Sequence, residues 1–79
     1  ALDIAYDCLR RGGTAACTMN GANEAAVAAF LSRRCAWLDI VRAIEYALTR
    51  ATFVSSPDLA AFAASDAEAR ALAAEYLNK

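Results

Sequence analysis

The chain has 79 residues, 59% hydrophobic and 22% charged, with eight basic against nine acidic side chains and a formal net charge of −1. So apolar a composition excludes a disordered chain, and the balanced charge, without an acidic or basic tail, gives no reason to expect nucleic acid or an anionic membrane as partner. A chain of this size buries roughly 60–65% of the surface its unfolded form exposes, which allows one domain with a thin core.

Alanine dominates, with three glycines and one proline, a composition that favours helix because Ala loses no side-chain entropy there. A first helix is expected from the N-terminus to about Arg11, with Leu2, Ala5, Tyr6 and Leu9 as its apolar stripe. Gly12-Gly13 supplies the positive φ that ends it, with Arg10 and Arg11 at the negative end of the dipole. Thr14–Thr18 reads as a loop. Asn20 is then the expected N-cap of a second helix, with Asn23 and Glu24 in its first turn and Ala26, Val27, Phe30 and Leu31 as its buried face. Arg33 and Arg34 close this helix around residue 34.

Cys35–Leu38 reads as a short connection, and Asp39 or a neighbour starts a third helix with the stripe Ile40, Val41, Ile44, Leu48 and Ala51. Ser55-Ser56-Pro57-Asp58 is a strong breaker, after which Asp58–Ala64 is expected as an irregular or 3₁₀-like turn packing Leu59 and Phe62. Ser65-Asp66-Ala67-Glu68 has the form of a capping box that opens a fourth helix. Ala69, Leu72, Ala73, Tyr76 and Leu77 line one face of that helix, and Lys79 sits at its frayed end. No alternating strand pattern competes, so the expected fold is all-α, a compact four-helix bundle with short loops.

Chemistry is hard to place on this chain. Histidine, the commonest general base near neutral pH, is absent. Cys8, Cys17 and Cys35 are an odd number at wide spacing, which suits neither a disulfide framework nor a zinc site, so buried reduced thiols are expected. Cys35, beside Arg33 and Arg34, has the best setting for a thiolate, yet reads more readily as a structural residue. Ser32, Ser55, Ser56 and Ser65 lack the surroundings of an activated hydroxyl, and the glycines make no phosphate loop. Asp39, Asp66 and Glu68 are assigned to caps and helix dipoles. Arg10, Arg11, Arg33, Arg34, Arg50 and Lys79 lie near helix C-termini, while Arg70 follows Asp66 and Arg42 precedes Glu45 at pairing distance. Convergence of Arg10, Arg11, Arg33 and Arg34 would make an anion patch. Asn20 and Asn23 flank a small Gly21-Ala22 pair, which implies a loop locked against another element. Trp37, Tyr6, Tyr46 and Tyr76 read as core or domain-interface residues.

The opening residues through Arg11-Gly12-Gly13-Thr14-Ala15 resemble ALxLAYEALRxGGTAP of the C-terminal helical domain of 1-deoxy-D-xylulose 5-phosphate reductoisomerases. Met19-Asn20-Gly21-Ala22-Asn23-Glu24 and the apolar run to Leu31 resemble that family's LNAANE stretch. Trp37-Leu38-Asp39-Ile40 is similar to its FxDI, and Ser65-Asp66-Ala67-Glu68-Ala69-Arg70 to its xDAEAR. Gly21 stands where alanine is usual, Ala16 replaces proline, and Ala25 replaces a larger aliphatic residue. The resemblance implies a homodimeric enzyme of non-mevalonate isoprenoid synthesis that rearranges and reduces 1-deoxy-D-xylulose 5-phosphate to 2-C-methyl-D-erythritol 4-phosphate. Such an enzyme uses NADPH and a divalent cation, Mg or Mn.

None of the family's cofactor, metal or substrate motifs maps onto a position here, so the expectation is no catalytic, cofactor-binding or metal-binding residue within residues 1–79. The chain is expected to be one helical domain of a polypeptide several times longer, supporting that polypeptide's catalytic domain. Ala1 is not an initiator methionine and stands directly before a helical pattern, which fits truncation. The longest apolar runs fall short of the roughly 20 residues that cross a bilayer, and no signal peptide is visible. The expected setting is bacterial cytoplasm or a plastid-type organelle. The alternative reading is a free-standing helical interaction module, and a more distant one a carrier of apolar ligands.

Overall fold

Gly12 and Gly13 break the chain sharply, at φ of 67° and 53°, a region that only glycine enters without strain. They separate α1 (Leu2–Arg11) from α2 (Ala15–Leu31), which are followed by α3 (Trp37–Arg50) and α4 (Leu59–Leu77). The computed structural model describes residues 2–78, with Leu2 through its backbone alone. Expectations for the Leu2 side chain and for Lys79 therefore lie outside the described residues. Those described form the expected all-helical bundle, in which α2 packs most extensively on α4 and α3, and α3 on α4.

Two helices start earlier than their capping signals imply. Thr14–Thr18 is not a loop: α2 begins at Ala15, so Asn20 is no cap and Asn23 and Glu24 stand in mid-helix. The glycine pair has already turned the chain, and Ala15 and Ala16 extend the helix at no propensity cost. Likewise Asp58–Ala64 is no irregular turn. Asp58 caps α4, its carboxylate accepting from the Ala61 N–H at 2.8 Å, and the alanine-rich stretch behind it is helical. Ser65 and Glu68 thus form no capping box. The Ser65 hydroxyl is buried 3.1 Å from that of Thr18, and Glu68 accepts from the Thr52 N–H at 2.8 Å.

At the other end of α2, the helix closes at Leu31, sooner than expected, and Arg33 takes a left-handed φ of 61° in the turn. α3 also starts sooner than expected, at Trp37, so Trp37 and Leu38 of the expected Cys35–Leu38 connection are helical and Asp39 stands in the first turn. The Asp39 carboxylate accepts from the Ala36 N–H at 2.9 Å, one turn back.

The core is built mostly from small side chains. Ala22 and Ala26 of α2, Ile40, Ala43, Ile44 and Ala47 of α3, and Ala69 and Ala73 of α4 make one buried cluster. Val27, Phe30, Leu48, Leu72, Tyr76 and Leu77 flank it, so the expected stripe of α4 and most of those of α2 and α3 face inward, while Val41 lines a groove and Ala51 follows the end of α3. Leu31 is the exception and is exposed. Gly21 belongs to the same seam: a Cβ there would lie 3.2 Å from the Cβ of Ala69. Small residues on facing ridges let two helix backbones approach closely.

The stripe expected on α1 points the wrong way. Cys8 is fully buried and Ile4 packs against the core, whereas Tyr6 and Leu9 are exposed. Two apolar stripes overlap on this helix, and the bundle uses the Ile4/Cys8 one. Leu59 and Phe62, expected to pack in a turn, are also exposed.

Between α3 and α4 the chain forms a strap pinned at two points. The Thr14 N–H donates to the Val54 carbonyl at 3.0 Å, and the Val54 N–H donates back to the Thr14 hydroxyl, also at 3.0 Å. Thr52 is held by Glu68 through its N–H and its hydroxyl.

Both members of the Thr18–Ser65 pair are buried, so removing one partner strands the other. Thr18→Val is expected to cost about 1–2 kcal/mol, and Thr18→Val/Ser65→Ala less than the single change. A double-mutant cycle by urea unfolding checks this, and strict additivity of the two changes would contradict it.

Candidate functional site

Most polar side chains that a reaction would require are committed to holding helices. Asp39 and Asp58 cap α3 and α4. Arg70 donates to Asp66 on its own helix and to Glu24 on α2, each at 3.0 Å, clasping the α2–α4 seam from outside. Those hydrogen bonds, to Asp66 first and Glu24 second, keep the guanidinium charged above its ordinary range. All three groups are solvent-accessible, so the clasp is weak and salt-sensitive. Arg10 reaches Asp7 at 3.5 Å. Among the described residues no three His, Cys, Asp or Glu side chains gather to hold a metal ion.

The arginines do not converge. Arg10 and Arg11 end α1 near the start of α2, whereas Arg33 and Arg34 follow its far end, and 17 helical residues put about 25 Å between those ends. Arg11 lies over the ring of Phe53 at 5.0 Å, and Arg50 over that of Tyr46 at 3.8 Å.

The cysteines are free thiols at three separate places, Cys8 buried and Cys17 and Cys35 half-buried. Burial raises the pKa of Cys8 against the lowering pull of Arg11, so this thiol stays protonated and inert at neutral pH. Cys35 leans toward the Ala26 carbonyl at 3.9 Å, a weak contact that keeps it in the α2–α3 turn.

What remains is apolar surface. Phe30 and Trp37 meet edge to face at 5.6 Å across the α2–α3 turn, yet Trp37 stays 70% exposed, and Leu31 and Leu38 are exposed as well. Tyr46 and Tyr76 pack 5.3 Å apart between α3 and α4, as expected of core residues. Tyr6 and Leu9, with Asp3 and Arg10, line an open hollow of about 560 Å³ on the outer side of α1.

Ile4, Met19, Val41 and Ile44 line a smaller groove of about 200 Å³ between α1, α2 and α3. Asn20 and Asn23 form its polar rim. Both asparagines are exposed, so they do not lock a loop as their spacing implies. The signal for this groove was present in the sequence as two amides three residues apart, but the misplaced helix start disguised it as a cap.

Residues 1–72 match the family model of the DXP reductoisomerase C-terminal domain. Among curated relatives, the 1-deoxy-D-xylulose 5-phosphate reductoisomerase of Bacteroides thetaiotaomicron is 43% identical over 76 residues, 96% of this chain and 20% of the relative. Those of Ralstonia pickettii and Aromatoleum aromaticum are 42% and 47% identical, over 96% and 91% of this chain and 19% and 18% of their own lengths. The chain thus spans about a fifth of the length of the curated relatives it matches. No solved structure matches it. A family match over nearly every residue, carried on an all-helical bundle with the glycine turn and the asparagine-bearing helix in place, settles the assignment: this chain belongs to the DXP reductoisomerase C-terminal domain family.

Proposed function

We propose that this chain is the C-terminal helical domain of a longer 1-deoxy-D-xylulose 5-phosphate reductoisomerase, in which it supports the catalytic portion. The observation that carries the proposal is the match of residues 1–72 to that domain family, in relatives five times as long that bear the enzyme's name. The reaction is the rearrangement and NADPH-dependent reduction of 1-deoxy-D-xylulose 5-phosphate to 2-C-methyl-D-erythritol 4-phosphate, with a divalent cation (Mg or Mn), in a homodimer. Among the described residues Asp39 and Asp58 are held in caps, Asp7, Glu24 and Asp66 in ion pairs, and no three His, Cys, Asp or Glu side chains gather, which supports a cofactor site elsewhere in the enzyme. NADPH and the cation therefore belong to the portion of the enzyme beyond this domain.

The relatives named above are bacterial, and no helix among the described residues is long and apolar enough to cross a membrane. Bacterial cytoplasm is the setting that suits both, with a plastid-type organelle as the eukaryotic counterpart. The exposed Leu31, Trp37 and Leu38 suit a domain interface as well as a free-standing interaction module, and the length of the relatives favours the first.

The test is an NADPH-oxidation assay on the polypeptide encoded with this chain, supplied with 1-deoxy-D-xylulose 5-phosphate and Mg²⁺ or Mn²⁺. Turnover by that polypeptide and none by residues 1–79 alone is the expected result. A polypeptide without turnover would overturn the activity, and turnover by the 79 residues alone would overturn the supporting role.

A further inference from the structure

We propose that the groove lined by Ile4, Met19, Val41 and Ile44 and rimmed by Asn20 and Asn23 receives a segment of the catalytic portion of the same polypeptide, held by the two carboxamides through its backbone. The proposal rests on the reading of this chain as one domain of a longer enzyme.

The asparagines carry it. Both stand in the middle of α2, an alanine-rich helix, where asparagine is among the poorer helix formers. Both are exposed, and neither makes a hydrogen bond with any described residue. Within the domain they therefore cost helix stability and return nothing. Their spacing of three residues puts both amides on one side of the helix, along the rim of the groove.

A carboxamide offers one acceptor oxygen and two donor hydrogens, the complement of a peptide group's N–H and C=O. Two of them along an apolar trough match a short stretch of backbone that inserts an aliphatic side chain between Ile4, Met19, Val41 and Ile44. At about 200 Å³ the trough is smaller than the about 300–1,000 Å³ of sites that hold cofactors and drug-sized molecules. No charged side chain among the described residues lines it, which disfavours a phosphorylated ligand. The relatives supply the occupant, since four-fifths of their length lies outside this domain.

The test is limited proteolysis of the full-length polypeptide under native conditions, with cut sites mapped by mass spectrometry, comparing the native protein with Asn20→Ala/Asn23→Ala. Helix propensity alone predicts that the variant resists cleavage better, because alanine stabilises α2. A docked segment predicts the opposite: cleavage in and around α1 and α2 about tenfold faster, the effect of losing one or two hydrogen bonds on an opening equilibrium. Equal or slower cleavage in the variant overturns the proposal. So does native protection that strengthens with protein concentration, which would make the occupant a second copy. The cleavage contrast in a polypeptide that fails to turn over 1-deoxy-D-xylulose 5-phosphate would keep the groove and discard the activity.

Discussion

Gly13→Ala is expected to cost on the order of 3 kcal/mol of stability, the severest of the three glycine-to-alanine changes. Two causes add. Gly13 sits at φ 53°, where a Cβ costs about 1–2 kcal/mol. That Cβ would also overlap the Val54 carbonyl oxygen and stand 3.0 Å from the Ser55 Cα, both backbone atoms that cannot swing away. The same carbonyl accepts from the Thr14 N–H, so relieving the overlap breaks the pin between the α2 start and the strap. Gly12 is the built-in control. Its φ is 67°, but nothing lies within 4 Å of where its Cβ would be, so Gly12→Ala should cost only the conformational part, about 1–2 kcal/mol. Urea unfolding followed by circular dichroism separates the two, and equal losses would mean that the strap yields freely.

A second large loss is expected at the α2–α4 seam. Gly21→Val should remove about 2–3 kcal/mol, although valine is the better helix former. The first carbon already comes within 2.9 Å of the Asp66 carboxylate and 3.2 Å of both the Asp66 carbonyl and the Ala69 Cβ. Two further methyls leave α4 no choice but to move outward, straining the Thr18–Ser65 pair and the Arg70 clasp. Gly21→Ala tests the boundary. Its gain in propensity, about 1 kcal/mol, opposes a shift of a few tenths of an ångström, so its net effect should lie near zero. Thermal melts of the two variants give the comparison, and a harmless Gly21→Val would show that the seam is loosely packed.

These residues also show where reading the chain succeeds and where it stops. The Gly12-Gly13 break, the body of α3 and the inward face of α4 were legible because each rests on a periodic pattern or on a conformation one residue type supplies. The starts of α2 and α4 were not. A cap is worth about 1 kcal/mol, whereas helix extended over Ala15–Met19 or Leu59–Ala64 also places Thr18, Gly21 and Ser65 in the seam. A local signal of that size loses to a long-range contact that the sequence does not display. α1 fails for a different reason. Its Ile4/Cys8 and Tyr6/Leu9 stripes are both apolar, and periodicity does not say which one meets the bundle. The groove was hidden by the error at α2, since an asparagine taken for a cap is not sought on an open helix face.

The division of labour between small and large side chains has an evolutionary consequence. Methyl groups fill the centre, while Tyr6, Leu9, Leu31, Trp37, Leu38 and Leu59 look outward. Substitutions at these outward side chains therefore fall on different positions from those that govern folding. Lineages can vary the outward positions without endangering the bundle, whereas the interior, closely packed around alanines, tolerates little enlargement in return.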